Sequence, residues 1–544
     1  MELLVKSLPC VVFEDEHLLV VNKPPGMNTH APDPYAGEGL FDYLRNRERR
    51  WASLAIVHRL DKETSGLIVF SKTRLANQSL TQQFTAHAVS KRYVFLTDRP
   101  PARESWRRQS SLHRAGDRYV SRTGSVSIPP AITDFQRAPS PPPVSPALPA
   151  RTVAVWAMPL TGRTHQIRVH AADSGCPIIG DVLYGGSPGP RVCLHAAGIA
   201  FTHPASGQPM RFDLAPDFLT SPRALQRQAI IDPDTTNAFR LVHGAADREP
   251  GLYVDRLGDY LFVQGARPLS SEQASAVEQN ARASGCQGAA LRLLDRQVRR
   301  RAPASASAQP LWGGMPSGPF TVRENGVLFE ISFQEGYSTG LFLDQRDNRR
   351  RLLTGHIAPD FEISTEGKLS PCTVLNTFAY TCGFSVCAAL SGAHTTSLDL
   401  SRNYLDWGKR NFALNGLDGA RHDFIRGDVF DWLKRWAKKE RKFDLIILDP
   451  PTFSQSRESG VFRADKDYPR LIRDALGVLA PDGILFASTN AEGWAPRAFV
   501  SAVLKAVADC GRRVSQSHYA PQPPDFPISR AEPAHLKTVW LRVA

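Results

Sequence analysis

Between Cys372 and Asn490 the chain alternates strand-like and helix-like segments: "CTVLNTFAY", "GFSVCAALSG", "HTTSLDL", "SRNYLDWGKRNFALNG", "HDFIRGDV", "FDLIILDPP", "YPRLIRDALGVL" and "GILFASTN". No other stretch limits the fold so narrowly. Such alternation predicts a parallel sheet flanked by helices, with any ligand at the carboxyl ends of its strands. Toward the amino terminus the pattern differs. Strand-like segments dominate there, in "LPCVVFEDEHLLVVNK", "SGLIVFSK", "KRYVFLT" and "TVAVWAMPL".

A chain of 544 residues is too long for one core, and a scale of roughly 100–200 residues per unit predicts about three or four. The proline-rich stretch "SIPPAITDFQRAPSPPPVSPALPA", residues 127–150, reads as an internal loop, because the strands on either side carry residues of one site. A boundary fits better at "FLTSPRALQRQAIIDPDTT", residues 218–236, where the strand pattern stops. The expected units are therefore 1–225, a small α+β RNA-binding or connecting unit over 236–350, and 351–544.

The formal net charge of +13 favours a polyanionic partner. Its cations gather in "RNRERR" (45–50), "RQVRRR" (296–301), "DQRDNRRR" (344–351) and "KRWAKKERK" (434–442), which together suit a long RNA track. The eight cysteines include no C-x-x-C pair and no zinc spacing, so neither a disulfide framework nor a metal is expected. With no signal-peptide pattern and no run near the roughly 18 apolar residues of a membrane span, a cytoplasmic protein is expected. No obligate protein partner is evident.

In "VLNTFAYTCGFSVCAALSG" a strand runs into a turn containing Gly383 and then a helix. The next strand ends in Asp399, whose carboxylate suits two ribose hydroxyls, and a third is followed by Asp428 and Val429, suited to an adenine edge. At the end of the fourth strand stands "LDPPTF", Leu448 to Phe453. Two prolines remove amide donors and stiffen the chain beside Asp449, an arrangement that holds a flat base. A dehydrogenase has no use for it, so methyl transfer from S-adenosyl-L-methionine outranks NAD chemistry. The candidate cofactor set is Asn376, Phe378, Tyr380, Thr381, Gly383, Asp399, Leu400, Asp428, Val429 and Asp449. Pro450, Pro451, Phe453 and Arg346 are the candidates for the RNA base.

From about residue 237 onward the chain resembles the class I ribosomal RNA large-subunit methyltransferases, through "PGLYVDRLGDYLFVQ", "TGLFLDQRDNRRRL", "LNTFAYTCGFSV", "DLSRNYLDWGKRNFALNG" and "DPPTFSQS". One branch of that family methylates cytosine at C5 and another guanine at N7. Methylation at C5 needs a thiolate to add at C6. Where such a cysteine would stand, this chain has Thr452 and Thr489, and Cys510 lies in a later helix-like segment. A ring nitrogen needs only position, stacking and a nearby sulfonium. The segments "SRNYLDWGKRNFALNGL" and "FASTNAEGW" look most like the guanine-N7 branch, whereas "HGAADREPGLYVDRLGDY" looks more like the cytosine branch. Guanine N7 is the expected acceptor, with cytosine C5 as the rival.

"HRLDKETSGL", residues 58–67, holds one aspartate among basic and hydroxyl groups. An aspartate with an arginine and a stacking aromatic makes a compact site for a flipped base. Residues 11–218 resemble the RluA group of ribosomal large-subunit pseudouridine synthases, through "LLVVNKPPGM", "HRLDKETSGLIVFSK", "KRYVFL", "TGRTHQIRVH", "GCPIIGDVLYGG" and "LHAAGIAFTHP". The resemblance implies that Asp61 is catalytic, that Tyr93 lies against the uracil and that Arg168 pairs with Asp61. It implies isomerisation of uridine without metal or cofactor. A glycosidase would need a second carboxylate.

The expected fold class is multidomain: an α+β mixed-sheet pseudouridine synthase unit, a small α+β linker and an α/β Rossmann-like methyltransferase. Large-subunit ribosomal RNA is the expected partner. The alternative of a non-catalytic RNA-binding assembly factor is disfavoured by the intact Asp61, Asp399 and "DPPTF".

Overall fold

The strand Ser65–Ser71, "SGLIVFS", is buried at every residue, which places it inside a sheet covered on both faces. The structure, a computed structural model, describes residues 8–122, 129–139, 146, 148–293, 308–334, 338–364, 368–456 and 460–544. In it Ser65–Ser71 lies between Leu18–Lys23, antiparallel, and Leu194–Thr202, parallel, within an 11-stranded mixed sheet. Leu194–Thr202 also pairs antiparallel with Ser90–Thr97. Two registers on that one strand, Ser65 with His195 and Tyr93 with Ala196, bring the "HRLD" turn and Tyr93 to the same level of the sheet. Gly66 makes the close approach possible: its φ is +112°, and a Cβ there would stand 2.4 Å from the Ala196 carbonyl oxygen.

The proline-rich stretch is not one loop. Ala131–Arg137 is a strand between Ser105–Ala115 and Val153–Pro159, since "AITDFQR" alternates buried and half-buried side chains as a sheet face requires. Residues 127, 128, 140–145 and 147 of that stretch lie outside the described residues.

A five-stranded sheet follows, from Ala238–His243 to Gln309–Gly313, with the helix Ser271–Ala283 closed at its start by a capping box of Ser270 and Gln273. The last sheet has seven strands in the order Asp423–Arg426, His394–Asp399, Thr373–Thr377, Phe443–Leu448, Leu479–Thr489, Lys537–Val543, Val514–Tyr519. The first five run parallel and Lys537–Val543 enters antiparallel. Strand order reverses beside Thr373–Thr377, the place where open α/β sheets bind ligands. The multidomain α+β and α/β architecture expected from the pattern is the one found. The helix Arg346–Thr354 runs across the boundary expected at 350, and one apolar cluster joins Ala238 and Phe262 to Leu352, Val374 and Trp540.

Two of the four basic runs are largely paired within the fold, although Arg49 and Arg50 stay exposed. In "DQRDNRRR", Arg346 binds Asp525 at 2.6 and 2.8 Å and Arg349 binds Glu324 at 2.7 Å through both nitrogens, all four groups buried. In "RNRERR", Arg47 faces Asp347 at 3.7 Å, Arg49 faces Glu362 at 2.9 Å, and Glu48 pairs with Arg350. These two runs thus meet each other, and they join the first unit to the last. A buried guanidinium without a carboxylate is costly, so the fold takes the buried Arg346 and Arg349 before any RNA can. The run 434–442 is mostly exposed, and "RQVRRR" lies outside the described residues. Among the described residues no helix is long and apolar enough to cross a membrane, and no cluster of metal-ligating side chains occurs.

Candidate active sites

The "HRLD" turn opens on a cavity of about 740 Å³, within the range of small-ligand sites. Asp61, Tyr93 and Arg168 all line it. Among the described residues Asp61 is the only acid that lines it, and the lining cations are Arg59, Lys91, Arg163 and Arg168. The Asp61 carboxylate is half-buried and makes no hydrogen bond or ion pair among the described residues. Its turn is held from below instead. The buried Lys23 ammonium donates to the carbonyls of Pro24 (2.9 Å), Met27 (2.7 Å) and Lys62 (3.2 Å), and burial pulls its pKa down to about 7. Burial, with the Asp61 charge beside it, pushes the Tyr93 phenol above its ordinary range, so it stays neutral. His58, stacked on Phe84 at 4.7 Å, accepts the Val69 amide at 3.0 Å and is likewise held neutral by burial, with a pKa of about 3.

Arg168 does not pair with Asp61. It makes a bidentate pair with Asp181 at 2.6 and 2.7 Å, both groups buried, and its Cζ lies 5.0 Å from the Tyr184 ring centre. Desolvation supplies the reason: a buried guanidinium needs a fixed, equally buried counter-charge, and a half-exposed carboxylate fills that role poorly. Asp181 follows Gly180, whose φ is +82° and whose Cβ, were there one, would fall 1.8 Å from the Arg191 carbonyl oxygen. The sequence signal was the acid inside the Gly-flanked turn of "IIGDVLYGG".

The second cavity, about 300 Å³, opens at the carboxyl ends of the parallel strands. Phe378, Tyr380, Asp399, Leu400, Asp428, Val429, Asp449, Pro450 and Pro451 line it as expected positions. The loop after Thr373–Thr377 is unusual in its backbone: Phe378, Tyr380 and Cys382 have φ of +53°, +50° and +62°. Three left-handed non-glycine residues so close together store strain, as functional loops often do. The loop is anchored by the Tyr380 amide donating to Asp399 Oδ2 at 2.8 Å, while the Ser401 amide donates to Oδ1 at 2.8 Å. Each Asp399 oxygen keeps a lone pair for a ribose hydroxyl. Burial raises the Asp399 pKa, against the pull of those amides. Asp428 caps the helix Val429–Lys438 through the Phe430 amide at 2.9 Å.

Among the described residues five carboxylates line this cavity, those of Asp344, Asp399, Asp428, Asp449 and Asp467, against one guanidinium, Arg470. That balance repels a pyrophosphate and suits a ligand carrying a sulfonium and an ammonium. Beneath Pro450, Asp449 accepts from Ser488 Oγ and from Gln345 Nε2, the latter at 3.1 Å. Burial raises its pKa to about 6, with the charge of Asp344 adding to the shift.

Other expected site residues build the cavity without lining it. Asn376 donates to Ser385 Oγ at 2.9 Å, Thr381 donates to the Gly340 carbonyl at 2.6 Å, and Gly383 starts the helix Gly383–Leu390. Arg346 is locked to Asp525 and buried, so it has no free face for RNA. Phe453 stands on the hairpin strand Phe453–Ser456, 38% exposed, because the chain turns away after the two prolines. Phe342, Asp344, Gln345, Tyr404, Phe462 and Asn490 line the cavity in its stead. Of these, "TGLFLDQ" was visible as a motif, but nothing local marks Tyr404 or Phe462.

Residues 270–542 match the family of S-adenosylmethionine-dependent methyltransferases, and residues 17–173 match the RNA pseudouridylate synthase family. The chain is similar to a ribosomal RNA large subunit methyltransferase of Deinococcus radiodurans, 33% identical over 327 residues, 58% of this chain and 76% of that protein. It is similar to a ribosomal RNA large subunit methyltransferase K/L of Psychrobacter sp. (strain PRwf-1), 44% identical over 173 residues, 31% of this chain and 20% of that protein. The crystal structure of SMU.776 complexed with SAH covers 63% of this chain and 88% of its own, at 26% identity and a TM-score of 0.50.

Proposed function

Since the chain belongs to the S-adenosylmethionine-dependent methyltransferases, we propose that it modifies large-subunit ribosomal RNA at two bases, isomerising a uridine in the first cavity and methylating a guanine at N7 in the second. It is an enzyme that joins a pseudouridine synthase unit to a methyltransferase unit, and its cofactor is S-adenosyl-L-methionine.

The single observation that carries the first half is the lone, unpaired acid. Asp61 opens the reaction at the sugar, the glycosidic N1–C1′ bond breaks, the base turns against Tyr93, and C5 bonds to C1′, after which C5 gives up its proton and N1 takes one. Among the described residues no second carboxylate lines the cavity to activate water, which supports isomerisation over hydrolysis. Arg59, Lys91 and Arg163 at the same cavity suit the flanking phosphates.

For the second half the carrying observation is that none of the eight cysteines lines the cavity. Cys382 stands nearest in the chain, but it is buried, its thiol points to the Tyr380 carbonyl at 3.8 Å, and burial pushes its pKa up to about 12. A thiol so held cannot add to a pyrimidine at C6. When bound, the cofactor supplies an electrophilic methyl on a sulfonium. The acids Asp399 and Asp428 suit its ribose and adenine end, and Asp449 with Pro450 and Pro451 suits the acceptor side.

Nucleoside mass spectrometry of ribosomal RNA from a deletion strain, mapped to positions, tests both halves. Loss of one pseudouridine and one 7-methylguanosine, each restored by the gene, is the expected result. A covalent adduct between the enzyme and 5-fluorocytosine RNA would overturn the N7 reading.

A further inference from the structure

Among the carboxylates of the second cavity, Asp344 is held differently. Asp399 has both oxygens on backbone amides, and Asp449 has one on Ser488 and the other on Gln345. Asp344 Oδ2 meets His535 Nε2 at 3.1 Å, whereas its Oδ1 makes no hydrogen bond among the described residues. The side chain is 16% exposed, and it lines the cavity next to Gln345, whose amide points to Asp449. Gln345 cannot turn over, because its Oε1 accepts from Asn348 Nδ2 at 2.8 Å. Asp344 and Asp449 are close enough that the charge of one raises the pKa of the other.

His535 is itself fixed. Its backbone amide donates to Gln522 Oε1 at 3.1 Å, and its ring packs 5.5 Å from His243 and 5.8 Å from Phe526. A carboxylate braced on one oxygen and free on the other presents a fixed pair of acceptors: Oδ1, and the spare lone pair of Oδ2.

We propose that Asp344, braced by the positioning residue His535, accepts the N1–H and N2–H donors on the Watson–Crick edge of the acceptor guanine and so selects that base. Guanine alone offers two adjacent donors there, as an enzyme reading a flipped base requires. Cytosine and adenine each turn a ring-nitrogen lone pair toward the carboxylate and are repelled. The proposal rests on the guanine reading above and names the group that enforces it.

The test uses the full chain, S-adenosyl-L-methionine, and an RNA fragment with the mapped acceptor as guanosine or inosine. Inosine keeps N7 but lacks the exocyclic amine, so the reacting atom is unchanged. Wild-type enzyme is expected to prefer guanosine by about tenfold in kcat/KM, the worth of one charge-assisted hydrogen bond. In Asp344→Asn, assayed at saturating S-adenosyl-L-methionine, the guanosine rate falls and the preference disappears, while pseudouridine yield from the same preparation stays at the wild-type value. His535→Gln is expected to raise KM for the RNA more than it lowers kcat. An unchanged guanosine-to-inosine ratio in Asp344→Asn overturns the proposal, and so does the absence of any preference in the wild type, even if the variant does not fold. Failure of the guanine reading looks different: the methyl group is then found on another base.

Discussion

In the first cavity one carboxylate, Asp61, stands among Arg59, Lys91, Arg163 and Arg168; in the second, five carboxylates surround Arg470. The way the acids are held is reversed as well. Among the described residues the Asp61 carboxylate has no partner, and the cation expected to hold it, Arg168, is held by Asp181. In the second cavity Asp399 and Asp449 are tied at both oxygens. An unpaired carboxylate suits the reacting role proposed for Asp61, because each hydrogen bond it accepts would lower its basicity. One that shapes a binding site for a cation is pinned, because pinning removes the entropy that binding would otherwise cost. The described linings thus carry opposite charge, which suits the phosphodiester proposed for one cavity and the sulfonium proposed for the other.

The comparison breaks most easily at Asp61. Asp61→Asn is expected to lower pseudouridine formation by about 10²–10⁴-fold while methylation by the same preparation is unchanged, both measured by nucleoside mass spectrometry. A synthase rate near wild type would mean that the unpaired acid is not the reacting one.

Asp181→Asn strips a buried guanidinium of its partner, which costs on the order of 3 kcal/mol and lowers the melting temperature. The double variant Arg168→Met/Asp181→Leu is expected to recover the melting temperature but not the synthase activity. Recovery of both would reduce Arg168 to a packing residue.

Methylation should depend on pH. Asp449 has a pKa raised to about 6, mainly by burial and further by Asp344, against the opposing pull of Ser488, Gln345 and Arg349. A proton on Asp449 removes its charge, so kcat/KM for methylation is expected to fall by about tenfold per unit as pH drops below about 6. Removing the neighbouring negative charge in Asp344→Asn makes Asp449 easier to ionise, and the acid limb then moves to lower pH. A limb that stays in place would separate the two carboxylates. The smallest effect is expected at Phe453, outside the cavity lining: Phe453→Ala should change the methylation rate by less than about threefold, whereas Asp449→Ala should abolish it.

Much of the second site was legible because its residues sit at strand ends in chain order. Once "CTVLNTFAY", "HTTSLDL" and "FDLIILDPP" are strands of one parallel sheet, Phe378, Asp399 and Asp449 arrive at the same edge. The strained backbone of Phe378, Tyr380 and Cys382 was not legible, since nothing in "FAYTC" marks positive φ. Arg346 misled for a related reason. It looked like a surface cation within a basic run, but its partner Asp525 lies 179 residues away in the chain. Charge runs show which groups exist, and only burial shows which are already paired.

The sequence by itself determined the architecture and singled out the candidate groups, because strand and helix periodicity, turn glycines and the acids at strand ends are properties of neighbouring residues. It marked Asp61 as the only acid of its kind and the proline pair after Asp449 as a base platform. Tertiary structure decided which charges are free to act. Asp181 took Arg168 away from Asp61, Asp525 and Glu324 removed Arg346 and Arg349 from any RNA face, and His535 left Asp344 one open oxygen. Pairings of that kind follow from desolvation in a packed interior, where a charge must find its partner wherever the fold happens to bring one.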